Sequence, residues 1–444
     1  MYNMRLATVP IAGIIFMAVS AVYGADGAMT LKEIAVYALE NNPKLKSAAI
    51  DVATEGESVE IAEGEHRPRL DAQAVATRSR YDSALTPISG KPGPGASFPD
   101  FSNPVYDAGL AFSLPIYRGG RLTRNVAVAR LRQSSAGDIF STSREDLLFN
   151  ISSLYFKILQ MEKMKASSEA TVRQMEAHDR DVASFYTNGS LPKLDVLKSQ
   201  VALASALQNV YAVENSLASA MEALKSFMGM EDVSAPLRLA DDHGAQFPFP
   251  SEHEAITTAL SKRSELSAAR TRVKIFEERA LIADGKKLPS VTLTGDYGAR
   301  SADEMRLNEN WSASLRMSVP ILDGGTIAHE TAKETREMEK AREEERALRI
   351  NITREAKDAR LSVGLAEKRI ETLSPAVTSA VEALRVERLR FASGAGSSID
   401  VTDAAVALLR IENEQYQAAY DRDASLVSLA RAMGELSKYL EVPK

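Results

Sequence analysis

Two stretches decide the fold: Pro115-Ile116-Tyr117-Arg118-Gly119-Gly120 and, 205 positions later (320 − 115), Pro320-Ile321-Leu322-Asp323-Gly324-Gly325. The same offset links Gly189 to Gly394, Asp195 to Asp400, Leu203 to Leu408, and Met228-Gly229 to Met433-Gly434. Nearer the start of each copy the offset is 221, pairing Leu39 with Leu260, Leu45 with Leu266 and Pro68 with Pro289. The difference of 16 (221 − 205) puts one extra stretch in the first copy, between Pro68 and Pro115. Each copy of a long repeat is one unit of architecture, often unable to bury its own apolar face. Residues 26–236 and 237–444 are therefore expected to build one pseudo-symmetric object.

Working outward from the junctions, each is preceded by alternation and followed by helical periodicity. Tyr106, Ala108, Leu110, Phe112 and Leu114 alternate with other residues up to Pro115, where the strand is expected to stop. Upstream, Leu70, Ala72, Ala74 and Ala76 alternate with Asp71, Gln73, Val75 and Thr77, after one helix predicted over 31–65. Residues 81–105 carry Pro87, Pro92, Pro94, Pro99 and Pro104 with three glycines, a density of breakers that predicts a loop without helix or sheet. From Gly120 to Asn188 there is no proline, and Leu147, Ile151, Leu154, Ile158 and Met161 step by three and four. Such a helix is on the order of 100 Å long. Asn188-Gly189-Ser190 ends it, and Pro192 opens a second helix that closes near Gly229.

The second copy repeats this plan. Val291, Leu293 and Tyr297 alternate with Ser290, Thr292, Thr294 and Asp296; Trp311, Ala313, Leu315, Met317 and Val319 alternate with Ser312, Ser314, Arg316 and Ser318. A long helix is predicted from Gly325 to Ser393, kinked at Pro375, then a last helix from Ile399 to Met433.

Composition narrows the function. The net charge of −6 argues against a non-specific nucleic-acid binder. There is no cysteine, and the five histidines lack metal-ligand spacing, which removes thiol chemistry, zinc clusters and disulfides. No nucleophile–base pair or phosphate loop stands out, so neither an enzyme nor a cofactor is expected. Arg5 followed by an apolar run to Val22 and small residues reads as a secretory signal over residues 1–25; the alternative is a membrane anchor, against which Pro10 and Gly13 interrupt the run.

The predicted strands are about ten residues long, the length of transmembrane β-strands with lipid on one side and a wet lumen on the other. The alternative is a hairpin on a soluble core. An export signal, the lack of another sheet for each hairpin to join, and Tyr81, Tyr106, Tyr117, Tyr297 and Trp311 at strand ends favour the membrane. Four strands are too few for a barrel, which begins at about eight, so oligomerisation is required. Helices this long read as coiled-coil elements packed against neighbours; an elongated, non-porous periplasmic tether or adaptor rod is the competing reading.

The order helix, strand, loop, strand, long helix, helix, written twice behind a signal, resembles the TolC-like outer-membrane efflux proteins. Leu114 to Gly120 and Val319 to Gly325 look like that family's strand-to-helix junctions. Tyr186-Thr187-Asn188-Gly189-Ser190 through Asp195, and Phe391 through Asp400-Val401, resemble its helix-turn-helix tips. The resemblance implies an α+β membrane protein: a homotrimer with a twelve-stranded β-barrel in outer-membrane lipid and a helical tunnel through the periplasm. It implies partnership with a periplasmic adaptor and an inner-membrane transporter of RND or ABC type. The residues between Gly229 and Ser251 are expected to form a girdle outside the helices.

Asp400 and Asp403 match the family's acidic pair at the periplasmic entrance. For Asp400 the simpler reading is a capping box with Ser397, since acids in a first turn gain about 0.3–1 kcal/mol from the helix dipole. Asp403 differs, because its first-copy counterpart is Lys198. In a trimer the pair gives six carboxylates that attract cations. The expected tip contacts are Asp195, Tyr186, Phe391, Gly189, Gly394 and Gly396. Where the family's pattern has a tyrosine and an arginine, this chain has Phe391 and Gly396, which can supply neither a hydroxyl bond nor an ion pair.

Overall fold

The computed structural model describes residues 28–86, 100–232, 236–242, 249–302 and 307–443. The expected signal over 1–25 and most of the proline-rich stretch lie outside them. Two compact units share the chain, and each draws on both repeats. A sheet-bearing unit takes Lys44–Arg144 and Ile256–Ala356; a helical unit takes the described parts of Met1–Pro43, Glu145–Ala255 and Lys357–Lys444.

In the sheet-bearing unit, α2 (Pro43–Gly64) leads to β1 (Arg69–Thr77), the short pair β2 (Ser83–Ala84) and β3 (Phe101–Ser102), and β4 (Val105–Arg118). The helix expected over 31–65 is broken: α1 (Leu31–Asn41) stops at Asn42, which is extended at φ −62°, ψ 121°. Pro43 follows, and a residue before proline is driven out of the helical region. The β2–β3 pair likewise corrects the expectation of no sheet between 81 and 105.

The two hairpins do find another sheet, namely each other. With β5 (Ser290–Ser301) and β6 (Asn308–Ser318) they form one antiparallel sheet in the order β1-β4-β5-β6. Strand β4 does not end at Pro115. It runs on to Arg118 through a register shift between Pro115 and Tyr117. On the other side β1 begins at Arg69, opposite Ser113, so the proline's missing N–H costs that neighbour no ladder bond.

Helix α3 (Arg121–Thr187) leaves the first Gly-Gly junction and α7 (Thr326–Ala392) leaves the second, each 67 residues long. Inside the sheet-bearing unit Arg130 pairs with Glu63 of α2 at 2.7 Å. Arg124 meets Glu278 of α6 (Ser264–Asp284) at 2.9 Å. A small core of Ala259, Leu266, Ile352 and Ala356 closes one end. Beside it the buried guanidinium of Arg263 bridges Glu265 and Glu355.

The helical unit holds α1, α4 (Lys193–Met228), α8 (Ser398–Ala432), the short α9 (Leu436–Tyr439) and the later parts of α3 and α7; α5 (Glu252–Lys262) starts in it. Pro192 is the residue before α4, not its first turn. Pro375 sits inside α7 without ending it. Of the expected girdle, residues 236–242 are a strap laid on the helices. Met29 bridges Leu239, Tyr155 Oη donates to the Ala240 carbonyl at 2.5 Å, and Lys163 pairs with Asp241 at 2.7 Å.

Candidate functional site: a helix-turn-helix tip and a two-faced sheet

Five residues separate α3 from α4, and five separate α7 from α8. Both turns are made alike. Gly189 and Gly394 take φ of +72° and +75°, a left-handed conformation that ends a helix at little cost only for glycine. Gly189 N–H donates to Tyr186 O at 2.9 Å and Ser190 N–H to Phe185 O at 2.8 Å. Gly394 N–H donates to Phe391 O at 3.0 Å and Ala395 N–H to Arg390 O at 2.9 Å. The repeat is thus kept down to individual hydrogen bonds.

The helix starts differ. Ser397 and Asp400 form a capping box at α8: Ser397 N–H donates to Asp400 Oδ2 at 3.3 Å, and Ile399 N–H donates to Ser397 Oγ at 3.2 Å. In the first copy Pro192 replaces that serine, so Asp195 stands in the first turn of α4 without a side-chain cap. Asp403 is exposed one turn beyond Asp400.

The tips pack on a core of Met175, Val182, Leu384, Phe391, Val401, Ala405 and Leu408. Phe391 is 6% exposed, edge-on to His178 at 4.9 Å and to Phe185 at 5.4 Å. Its aromatic ring therefore serves the chain's own interior, whereas Tyr186, its first-copy counterpart, is 42% exposed. Gly396 lies against the end of α7; a Cβ there would sit 3.0 Å from Arg390 Cβ and from Phe391 N.

His178 is absent from the expected tip residues. It is buried, with Nε2 2.9 Å from Ser398 Oγ and 3.2 Å from Ser398 O. Burial, first, holds the imidazole below its ordinary titration range, opposed by the Ser398 backbone bond and by Asp181 and aided by Arg388. The repeat carried the signal, because the residue 205 positions on is Ala383.

The sheet has two chemically distinct faces, fixed by its register. Ala72, Leu110, Tyr297 and Trp311 stand in one row across all four strands. Leu114, Leu293 and Leu315 form another row on the same face. On the opposite face Asp71, Ala111, Asp296 and Ser312 are aligned, as are Gln73, Gly109, Gly298 and Asn310. Tyr297 and Trp311 face each other away from the strand ends, which corrects their expected place in an end girdle; Tyr106 and Tyr117 do lie near the ends of β4. Trp311 is 72% and Leu315 67% exposed on the isolated chain. Among the described residues, strands β1 and β6 each lack a partner on one side.

None of the described helices is long and apolar enough to cross a membrane, which says nothing against a sheet doing so. Among the described residues no group of three His, Cys, Asp or Glu could hold a metal.

The sequence profile of the family described as outer membrane efflux protein matches residues 35–230 and 255–435. Outer membrane protein TolC of Vibrio cholerae is 24% identical over 423 residues, covering 93% of this chain and 92% of that protein. Outer membrane protein OprJ of Pseudomonas aeruginosa is 23% identical, covering 91% and 84%. Among solved structures, the Campylobacter jejuni CmeC outer membrane channel superposes with a TM-score of 0.81 at 18% identity, covering 91% of this chain and 86% of that one.

Proposed function

Because the chain belongs to the outer membrane efflux protein family, we propose that three copies close their four-stranded sheets edge to edge into a twelve-stranded barrel. The protein is an outer-membrane channel component of a tripartite efflux or secretion system, and it works with an adaptor and an inner-membrane transporter. The observation that carries the trimer is the sheet itself. Its apolar face bears Leu110, Tyr297, Trp311 and Leu315, and among the described residues both of its edges are open.

In lipid, an open edge leaves backbone N–H and C=O groups unsatisfied at several kcal/mol each, so a spanning sheet must close. Four strands cannot close alone, and three copies give a barrel wide enough for an aqueous lumen. The polar face, with Asp71, Asp296 and Arg316, then lines that lumen. A non-porous rod would leave Trp311 and Leu315 in water, a large apolar patch without a purpose.

At the tips, Asp403 and Asp400 from three copies bring six carboxylates toward one axis and select cations. Asp195, Tyr186 and the turns at Gly189, Gly394 and Gly396 supply the surface through which neighbouring tips meet. The conduit is tested in planar bilayers. Purified protein is expected to give discrete conductance steps, blocked by a divalent cation on the tip side and not in the Asp400→Ala/Asp403→Ala variant. A protein released from membranes by salt, giving no steps, contradicts it.

A further inference from the structure

The described part of the first inter-strand connection, with β2 and β3, lies against the sheet. Arg300 stands directly opposite Asp107 on the polar face, and the two form an ion pair of 2.7 Å. The same guanidinium donates through Nη1 to the carbonyl of Ala84, in β2, at 3.1 Å. The β2–β3 arm is therefore folded over the polar face. A cleft of about 520 Å³ lies between them, lined by Leu85 and Thr86 of the arm and by Gln73, Asp296 and Asn310 of the sheet.

Two further details fix the arm. The Asn103 side chain bonds Ser79 on both sides, accepting from its N–H at 3.1 Å and donating to its carbonyl at 2.5 Å, which ties the neck. Val105, on the same polar face as Asp107, is 4% exposed and is the one buried residue of β4. The second inter-strand connection, between Ser301 and Asn308, is far shorter, so this arm belongs to the first copy's extra residues.

We infer that the β2–β3 arm lies inside the conduit, held by the Arg300–Asp107 pair, and that this pair sets the width and charge of the passage at that level. The inference rests on the polar face lining a lumen. Three arms in a trimer narrow the barrel mouth far more than the sheet alone would. Arg300 also neutralises Asp107, which lines the same cleft as the acidic Asp296, so the narrowed level carries a mixed charge that loss of Arg300 turns acidic.

The test uses the full-length protein in planar bilayers, comparing wild type with Arg300→Ala. The variant is expected to raise single-channel conductance by roughly 1.5-fold and to shift the reversal potential in a salt gradient toward cations, as rings of exposed carboxylate do. A second variant, Leu85→Cys, exploits a chain with no cysteine of its own. A charged methanethiosulfonate added to open channels is expected to lower the current in steps. Wild-type channels with unchanged conductance and selectivity in Arg300→Ala, and unchanged current after labelling of Leu85→Cys confirmed by mass, overturn the inference. Absence of any wild-type step overturns instead the conduit reading beneath it.

Discussion

The rings of His178 and Phe391 stand 4.9 Å apart with their planes at 61°, so α3 grips the last turn of α7 where the chain turns toward α8. Because burial keeps the folded imidazole below its ordinary 6.5, the unfolded chain takes up a proton that the folded tip refuses. The tip's stability is then complete above pH 6.5 and falls as the pH drops through the window beneath it. Hydrogen-exchange protection factors at residues 185–191 and 391–398 are expected to fall between pH 7 and pH 5, and His178→Gln to flatten that dependence. Phe391→Ala is expected to cost about 3–5 kcal/mol at any pH, as a deleted core aromatic does.

Gly119 and Gly324 are repeat equivalents with φ of +62° and +66°. A Cβ on Gly119 would meet the Gly285 carbonyl oxygen at 2.3 Å, whereas one on Gly324 would meet nothing within 4 Å. Gly324→Ala is expected to cost only the left-handed strain, roughly 1–2 kcal/mol. Gly119→Ala adds overpacking against backbone, about 1–3 kcal/mol more. Denaturant titration of the two variants should separate them.

The tip acids divide by role. Asp400→Ala removes a capping box and is expected to destabilise α8 by about 1 kcal/mol. Asp403→Ala removes an exposed charge one turn further on and should leave the melting temperature unchanged. Both should weaken divalent-cation block, so melting curves and block titrations together distinguish the capping duty from the channel duty.

The sheet's faces should tolerate charge unequally. Leu110→Arg places a cation on the apolar face and is expected to cost about 2–4 kcal/mol at mid-membrane depth. Ser312→Arg, in the adjacent row on the polar face, should insert normally. The yield of heat-modifiable oligomer in outer-membrane extracts measures the difference.

Much of the fold was legible because it is written twice. The Gly-Gly junctions, the strand alternation and the turns at Gly189 and Gly394 each occur in two copies, and local chemistry fixes all of them. What stayed hidden depends on contacts between distant residues. The pairing of Leu110 with Tyr297 joins the hairpins, and no local pattern in either strand reports it. The burial of Phe391 depends on α3 and α8 covering that face of α7, and the helical period alone does not choose between Phe391 and Tyr186. Pro115 reads as a strand end unless β1 is known to begin opposite Ser113 and the register shift to fall between Pro115 and Tyr117. The reverse holds for His178 and Asp403, since comparing the copies exposes both.

The closing of three sheets into one barrel is tested most directly by cysteine cross-linking at the two open edges. With no native cysteine, Gln73→Cys on β1 and Ser312→Cys on β6, both on the polar face, can be joined by a short bifunctional thiol-reactive reagent such as a bis-methanethiosulfonate only across neighbouring copies. Protein in outer membranes, carrying both cysteines, is expected to give a denaturing-gel ladder that ends at three chains. A ladder confined to one chain, or one that extends beyond three without a stop, contradicts it.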